Sequence, residues 1–162
     1  MTDWELAQIN VARLLAPVDD PAVAEFMNAL DEINAVADHS PGFVWRFQTD
    51  DGNATSIRPY DDESILINVS AWTSIDALGD YVYRSDHAGF LRRRREWFER
   101  LKDVIVALWW VPIGTLPTVN DGMERLDHLR ANGPGPYAFT FRRPFSPASE
   151  DVRRDDRNEC WV

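Results

Sequence analysis

The chain reads as one α+β domain with an antiparallel sheet, the split β-α-β arrangement of ferredoxin-like proteins. Three observations predict it. Period-two and period-3.6 apolar patterns follow in the order strand, helix, strand, strand, helix, strand. The length of 162 residues suits a single domain. Hydrophobic residues at 44% against 27% charged support a buried core rather than disorder.

The elements follow in order. Residues 4–12 alternate as a strand, with Trp4, Leu6, Gln8 and Asn10 on one face and Ala7, Ile9 and Val11 on the other. Asp19-Asp20-Pro21 opens a helix, with Asp as cap and Pro in the first turn, and the amphipathic pattern runs through 21–38. Ser40-Pro41-Gly42 stops it. Residues 43–48 are an aromatic strand, 50–53 have hairpin-turn chemistry, and 54–58 read as a short return strand. The clearest strand is 64–72, with Leu66, Asn68, Ser70 and Trp72 on one face. Thr73 or Ser74 caps a helix that runs to Tyr83, with Arg84 to Asp86 as a place for a break or kink, and continues from about 86 to 101. Residues 104–111 are apolar on both faces, as in a strand covered on both sides. A short helix at 121–131 turns Met123, Leu126 and Leu129 inward, and 137–141 is a last short strand. The domain is expected over 1–143. Residues 144–162 read as a polar tail, disordered or loosely docked.

The two long helices cover one sheet face, yet the other face is also apolar. The economical cover is a second copy, so a homodimer is expected, with a small-molecule chamber beside His87.

Charge removes whole classes of function. A formal net charge of −10 at pH 7 repels nucleic-acid backbones and anionic membrane surfaces. The basic run Arg92-Arg93-Arg94-Arg95 sits beside Glu96 and Glu99 and reads as a solvated helical face. One cysteine, Cys160, permits no internal disulfide. No secretory start and no apolar run of membrane length appear, so the cytoplasm is the expected compartment. Metal-ligand spacings, GxSxG, Walker loops and GxGxxG are missing from the sequence, which argues against the usual metallohydrolases, NTPases and dinucleotide enzymes.

The candidate chemistry centres on His87, a group able to trade protons near neutral pH. Tyr83 precedes it by four residues and shares its face if the helix is continuous; Arg94 follows on the same element. These three are the candidate catalytic set. Asn10, Arg46 and Asn68 are candidate substrate contacts, because polar groups on a greasy sheet face must find partners. Trp72 and Trp110 are candidate aromatic walls, with Trp109 and Trp110 on opposite sheet faces. The plainer alternatives are a His that caps the helix junction and an internal side-chain network with no ligand. His39 reads as a cap of the first helix, and His128 as a solvent-facing residue.

The segments Trp4-Glu5-Leu6-Ala7-Gln8-Ile9-Asn10, Ser40-Pro41-Gly42-Phe43-Val44-Trp45-Arg46, Arg94-Arg95-Glu96-Trp97-Phe98 and Leu108-Trp109-Trp110-Val111-Pro112 resemble the DUF3291 family over about residues 4–141. Members look like the dimeric α/β barrel superfamily, which includes antibiotic-biosynthesis monooxygenases and haem-degrading monooxygenases. The resemblance implies fold and dimer more strongly than chemistry. In the haem-degrading relatives an Asn on the first strand and a His on the second helix serve the haem; Asn10 and His87 match those places. The Trp that accompanies them there is replaced here by the stretch Gly79-Asp80-Tyr81-Val82, a departure that argues against a haem oxygenase.

The reading is then a small-molecule enzyme of monooxygenase-like type. It acts without metal or other cofactor on an aromatic or polyketide-like substrate, by oxygenation, isomerisation or cyclisation. The alternatives are a non-catalytic haem or small-molecule binding protein, and a ligand-free dimeric interaction module.

Overall fold

Four strands, β1 (Trp4–Arg13), β2 (Phe43–Arg46), β3 (Ile65–Trp72) and β4 (Val106–Pro112), form one sheet in the order β2-β3-β1-β4. All neighbours are antiparallel, as the split arrangement requires. The computed structural model describes residues 3–48, 65–101 and 104–147. The expected turn at 50–53, the return strand at 54–58 and most of the polar tail lie outside the described residues.

Register sorts the side chains as strand alternation demands. Gln8 stands opposite Ser70 and Leu108, and Asn10 opposite Asn68 and Val106. These residues share one face with Leu6, Trp72 and Trp110. Ala7, Ile9, Val69, Ala107 and Trp109 share the other and are fully or almost fully buried.

The first face carries α1 (Ala24–Asp38), α2 (Ile75–Arg84) and α3 (His87–Arg92). Asp20 accepts a hydrogen bond from the Ala22 amide at 2.8 Å, opening a 3-10 turn that leads into α1. Ser74 caps α2 by accepting from the Ala77 amide at 3.0 Å. Gly42, at φ +83°, lets β2 start close beneath α2, where any Cβ would run into Ala77.

Two expectations need correction here. The helix expected to run from 86 to 101 ends at Arg92 and is followed by a 3-10 turn at Arg94–Glu96. Trp97 and Phe98 both pack on Phe26, at 5.7 and 4.7 Å between ring centroids. Adjacent residues point about 100° apart on a helix, so burying both against one ring favours leaving it. The backbone instead runs beside the end of β1: Leu15 N donates to Trp97 O and Glu99 N to Arg13 O, both at 2.8 Å.

The second correction concerns the other face of the sheet. α4 (Val119–Asn132) folds back over it. Its Leu126 and Leu129 join Ile9, Val69 and Trp109 in one buried cluster. Gly122 lies so close to β1 that a Cβ would sit 2.8 Å from Ile9 Cδ1. A capping box of Thr118 and Asp121 starts the helix, and Gly133, at φ 79°, ends it. The face assigned to a partner copy is therefore largely covered by the chain itself. Trp45, Phe47 and Ile65, toward β2, remain only partly buried. The expected strand at 137–141 shrinks to one bridge, Phe139 with Leu108.

Candidate active site

The face under α1, α2 and α3 is not filled evenly. Leu6, Ala37, Trp72 and Leu78 pack at one end, and Leu14, Val23 and Trp97 at the other. Between them the strands present Gln8, Asn10, Asn68 and Ser70, which are too short and polar to plug the gap. A chamber of about 450 Å³ results, within the size range of small-molecule sites.

The floor is a chain of hydrogen bonds. Asn10 Nδ2 donates to Gln8 Oε1 at 3.3 Å, and Gln8 Nε2 donates to Ser70 Oγ at 2.8 Å. Trp72 Nε1 also donates to Ser70 Oγ, at 2.9 Å. Ser70 is only 5% exposed, and both its acceptor positions are taken. Its hydroxyl proton has no acceptor among the described residues and is left to the chamber.

One wall is a stack of rings. Tyr81 lies on Trp72 at 5.1 Å and 23°, and His87 lies against Tyr81 at 4.7 Å. Burial raises the Tyr81 pKa well above the ordinary tyrosine value, so the phenol stays protonated; its OH donates to Ile33 O at 3.4 Å.

His87 is set by the break between α2 and α3. Ser85 is extended, its hydroxyl donates to Tyr81 O, and it accepts from the His87 amide at 3.1 Å. The turn leaves the Val82 carbonyl 3.2 Å from His87 Nδ1. A carbonyl only accepts, so Nδ1 carries the proton and Nε2 is left with its lone pair. Burial lowers the His87 pKa below the ordinary 6.5, while the bond to Val82 opposes that shift without reversing it. The site thus holds a neutral imidazole with one free basic nitrogen. Among the described residues, no group of three or more His, Cys, Asp or Glu is placed to hold a metal.

A family model described as "Domain of unknown function (DUF3291)" matches residues 5–155. The chain belongs to the DUF3291 family. No curated protein sequence matches it. Among solved structures it is similar to SnoaB, a cofactor-independent oxygenase from Streptomyces nogalater. The identity is 19% and the TM-score 0.48, over 70% of this chain and 98% of that one. It is also similar to a protein of unknown function from Nitrosomonas europaea, at 10% identity and TM-score 0.46, over 72% of this chain and 95% of that one.

In this DUF3291 chain, His87, Arg94, Asn10, Arg46, Asn68 and Trp72 all line the chamber. Arg46 is tied to Asp38, with Nε to Oδ1 at 2.7 Å and Nη2 to Oδ2 at 3.3 Å. Two expected residues lie elsewhere. Tyr83 is 56% exposed and packs on Phe141, because the break at Ser85 turns His87 away from the i, i+4 position. Trp110 points under the segment after α4, where its Nε1 donates to Phe145 O at 2.8 Å. His39 caps α1, with Nδ1 2.8 Å from Ala35 O, and His128 sits exposed beside Tyr137.

Tyr81 is the chamber-lining residue that the spacing argument missed; only the location of the helix break distinguishes it from Tyr83. For haem, the residues of this DUF3291 chain fit poorly. Tyr81, in the stretch where the resemblance expects Trp, packs between Trp72 and His87.

Proposed function

We propose that the chamber binds a flat aromatic or polyketide-like molecule and that His87 Nε2 removes a proton from it. The observation that carries this reading is the neutral His87, its Nδ1 held by Val82, lining a 450 Å³ chamber. The bond to Nδ1 fixes the tautomer, and a neutral imidazole needs no prior deprotonation.

The substrate proton goes to Nε2, and its electron pair stays on the ligand as an enolate or phenolate. The Ser70 hydroxyl proton and the second Nδ2 proton of Asn10 supply hydrogen bonds to that oxygen. The ring edges of the Trp72 and Tyr81 stack give the chamber an aromatic wall against which an aromatic ligand packs edge to face. Return of the proton to another carbon gives isomerisation, and attack on an electrophilic carbon of the same molecule gives cyclisation. Transfer of the anion's electrons to dioxygen begins an oxygenation. All three share the first step, and that step needs no metal.

A homodimer belongs to this reading only as an addition, since α4 already covers much of the sheet's second face. The strip around Trp45, Phe47 and Ile65 is where a second copy would sit.

The test is deuterium uptake from deuterium oxide into a panel of aromatic β-dicarbonyl compounds and hydroxyaryl ketones, followed by NMR. The reading predicts that the wild type speeds exchange in at least one compound and that His87→Gln abolishes the gain. Exchange equal to buffer across the panel contradicts it, as does full exchange by the variant.

A further inference from the structure

We infer that the ligand of this chamber carries a carboxylate or similar anionic group, received by Arg94, Arg95 and Arg100. The inference rests on the chamber reading above and names the class of molecule within it.

The charged side chains on the chamber wall are Arg46, Arg94, Arg95, Glu99 and Arg100. Arg46 is matched by Asp38 at 2.7 Å, and Glu99 lies 3.9 Å from Arg13. Arg93, next in the run, turns outward to Glu25 at 2.7 Å and Glu96 at 2.6 Å. Arg94, Arg95 and Arg100 meet no carboxylate among the described residues. Three unmatched guanidiniums therefore rim an apolar hollow in a chain of net charge −10. Among the described residues the carboxylates pair Arg46 and Arg93 and leave these three exposed guanidiniums without one.

Their place in the hollow is defined by the backbone. Trp72 stands opposite Leu6 near the start of β1, whereas Glu99 N bonds Arg13 O at its end. The arginines thus lie toward the opposite end from Trp72. Between the two ends run Phe26, Leu30, Phe90 and Phe98. A long ligand with an apolar body would place one oxygen at Ser70 and an anionic group at the arginines. Guanidinium offers a planar pair of donors that suits a carboxylate.

The experiment compares two fluorescent probes with the same body, anthracenecarboxylate and the neutral anthracenecarboxamide, titrated into the full chain at low and high salt. The carboxylate should bind about tenfold more tightly at low salt, the scale of a few exposed charge pairs acting together. Added salt should shrink the preference. The triple variant Arg94→Gln, Arg95→Gln, Arg100→Gln should lose it while holding the carboxamide unchanged, and the triple Lys variant should keep most of it. Equal binding of both probes to the wild type overturns the anion inference and leaves the chamber intact. So does a preference that survives the Gln variant. Binding of neither probe overturns the chamber, and the inference with it.

Discussion

His87 Nδ1 lies 3.2 Å from the Val82 carbonyl oxygen, across the break that separates α2 from α3. That contact decides which ring nitrogen is basic, and burial decides the charge. Because the pKa is held below 6.5, the base form persists into mildly acidic solution. Proton abstraction should be flat with pH above the ordinary histidine value and should fall only below it. A pH–rate profile of the deuterium uptake checks this. An acid limb at or above pH 6.5 contradicts the burial argument.

The same group affects stability. The unfolded chain takes up the His87 proton at its ordinary value of 6.5, and the folded chain only at a lower pH. Below 6.5 the unfolded state binds more protons, so the folded state loses stability as pH falls through that window. His87→Gln should therefore lose less Tm than the wild type between about pH 7 and pH 5. Equal losses would show that His87 titrates alike in both states.

Ser70 accepts hydrogen bonds from Gln8 and Trp72 in a buried setting. Ser70→Ala leaves both donors without an acceptor. Urea denaturation should show a loss of about 1–3 kcal/mol. An unchanged midpoint would mean that water replaces the hydroxyl and that the floor is hydrated.

Gly122→Ala sets two effects against each other. Alanine improves helix propensity by about 1 kcal/mol. Its Cβ would meet Ile9 Cδ1 at 2.8 Å and Ile9 Cβ at 3.0 Å, and crowding of that kind costs about 1–3 kcal/mol. A lowered Tm is expected because the Ile9 Cβ belongs to a strand that cannot move aside. A raised Tm would mean that α4 does not press on β1.

Much of this arrangement is legible in the sequence, and the exceptions share a cause. Alternation placed Gln8, Asn10, Asn68, Ser70 and Trp72 on one face, and the caps at Asp20 and Ser74 are local chemistry. Tyr81 was missed because a break of one residue at Ser85 turns the following helix, and spacing rules assume continuity. The docking of α4 was missed because helical periodicity tells which side of a helix is apolar, not which surface it meets. The exit from helix at Trp97 was missed for a similar reason: burial of two adjacent rings on Phe26 is a tertiary demand.

Haem gives a separate check. Titration with haem should produce no protein-dependent Soret band, since Tyr81 packs against the His87 ring. A Soret band lost in His87→Ala would return the chain to the haem-binding reading.

The most direct measurement is NMR of the His87 ring nitrogens in the free protein across the pH range. The account predicts a proton on Nδ1, a bare Nε2, and a protonation midpoint below pH 6.5. A proton on Nε2, or a charged ring at neutral pH, would contradict it.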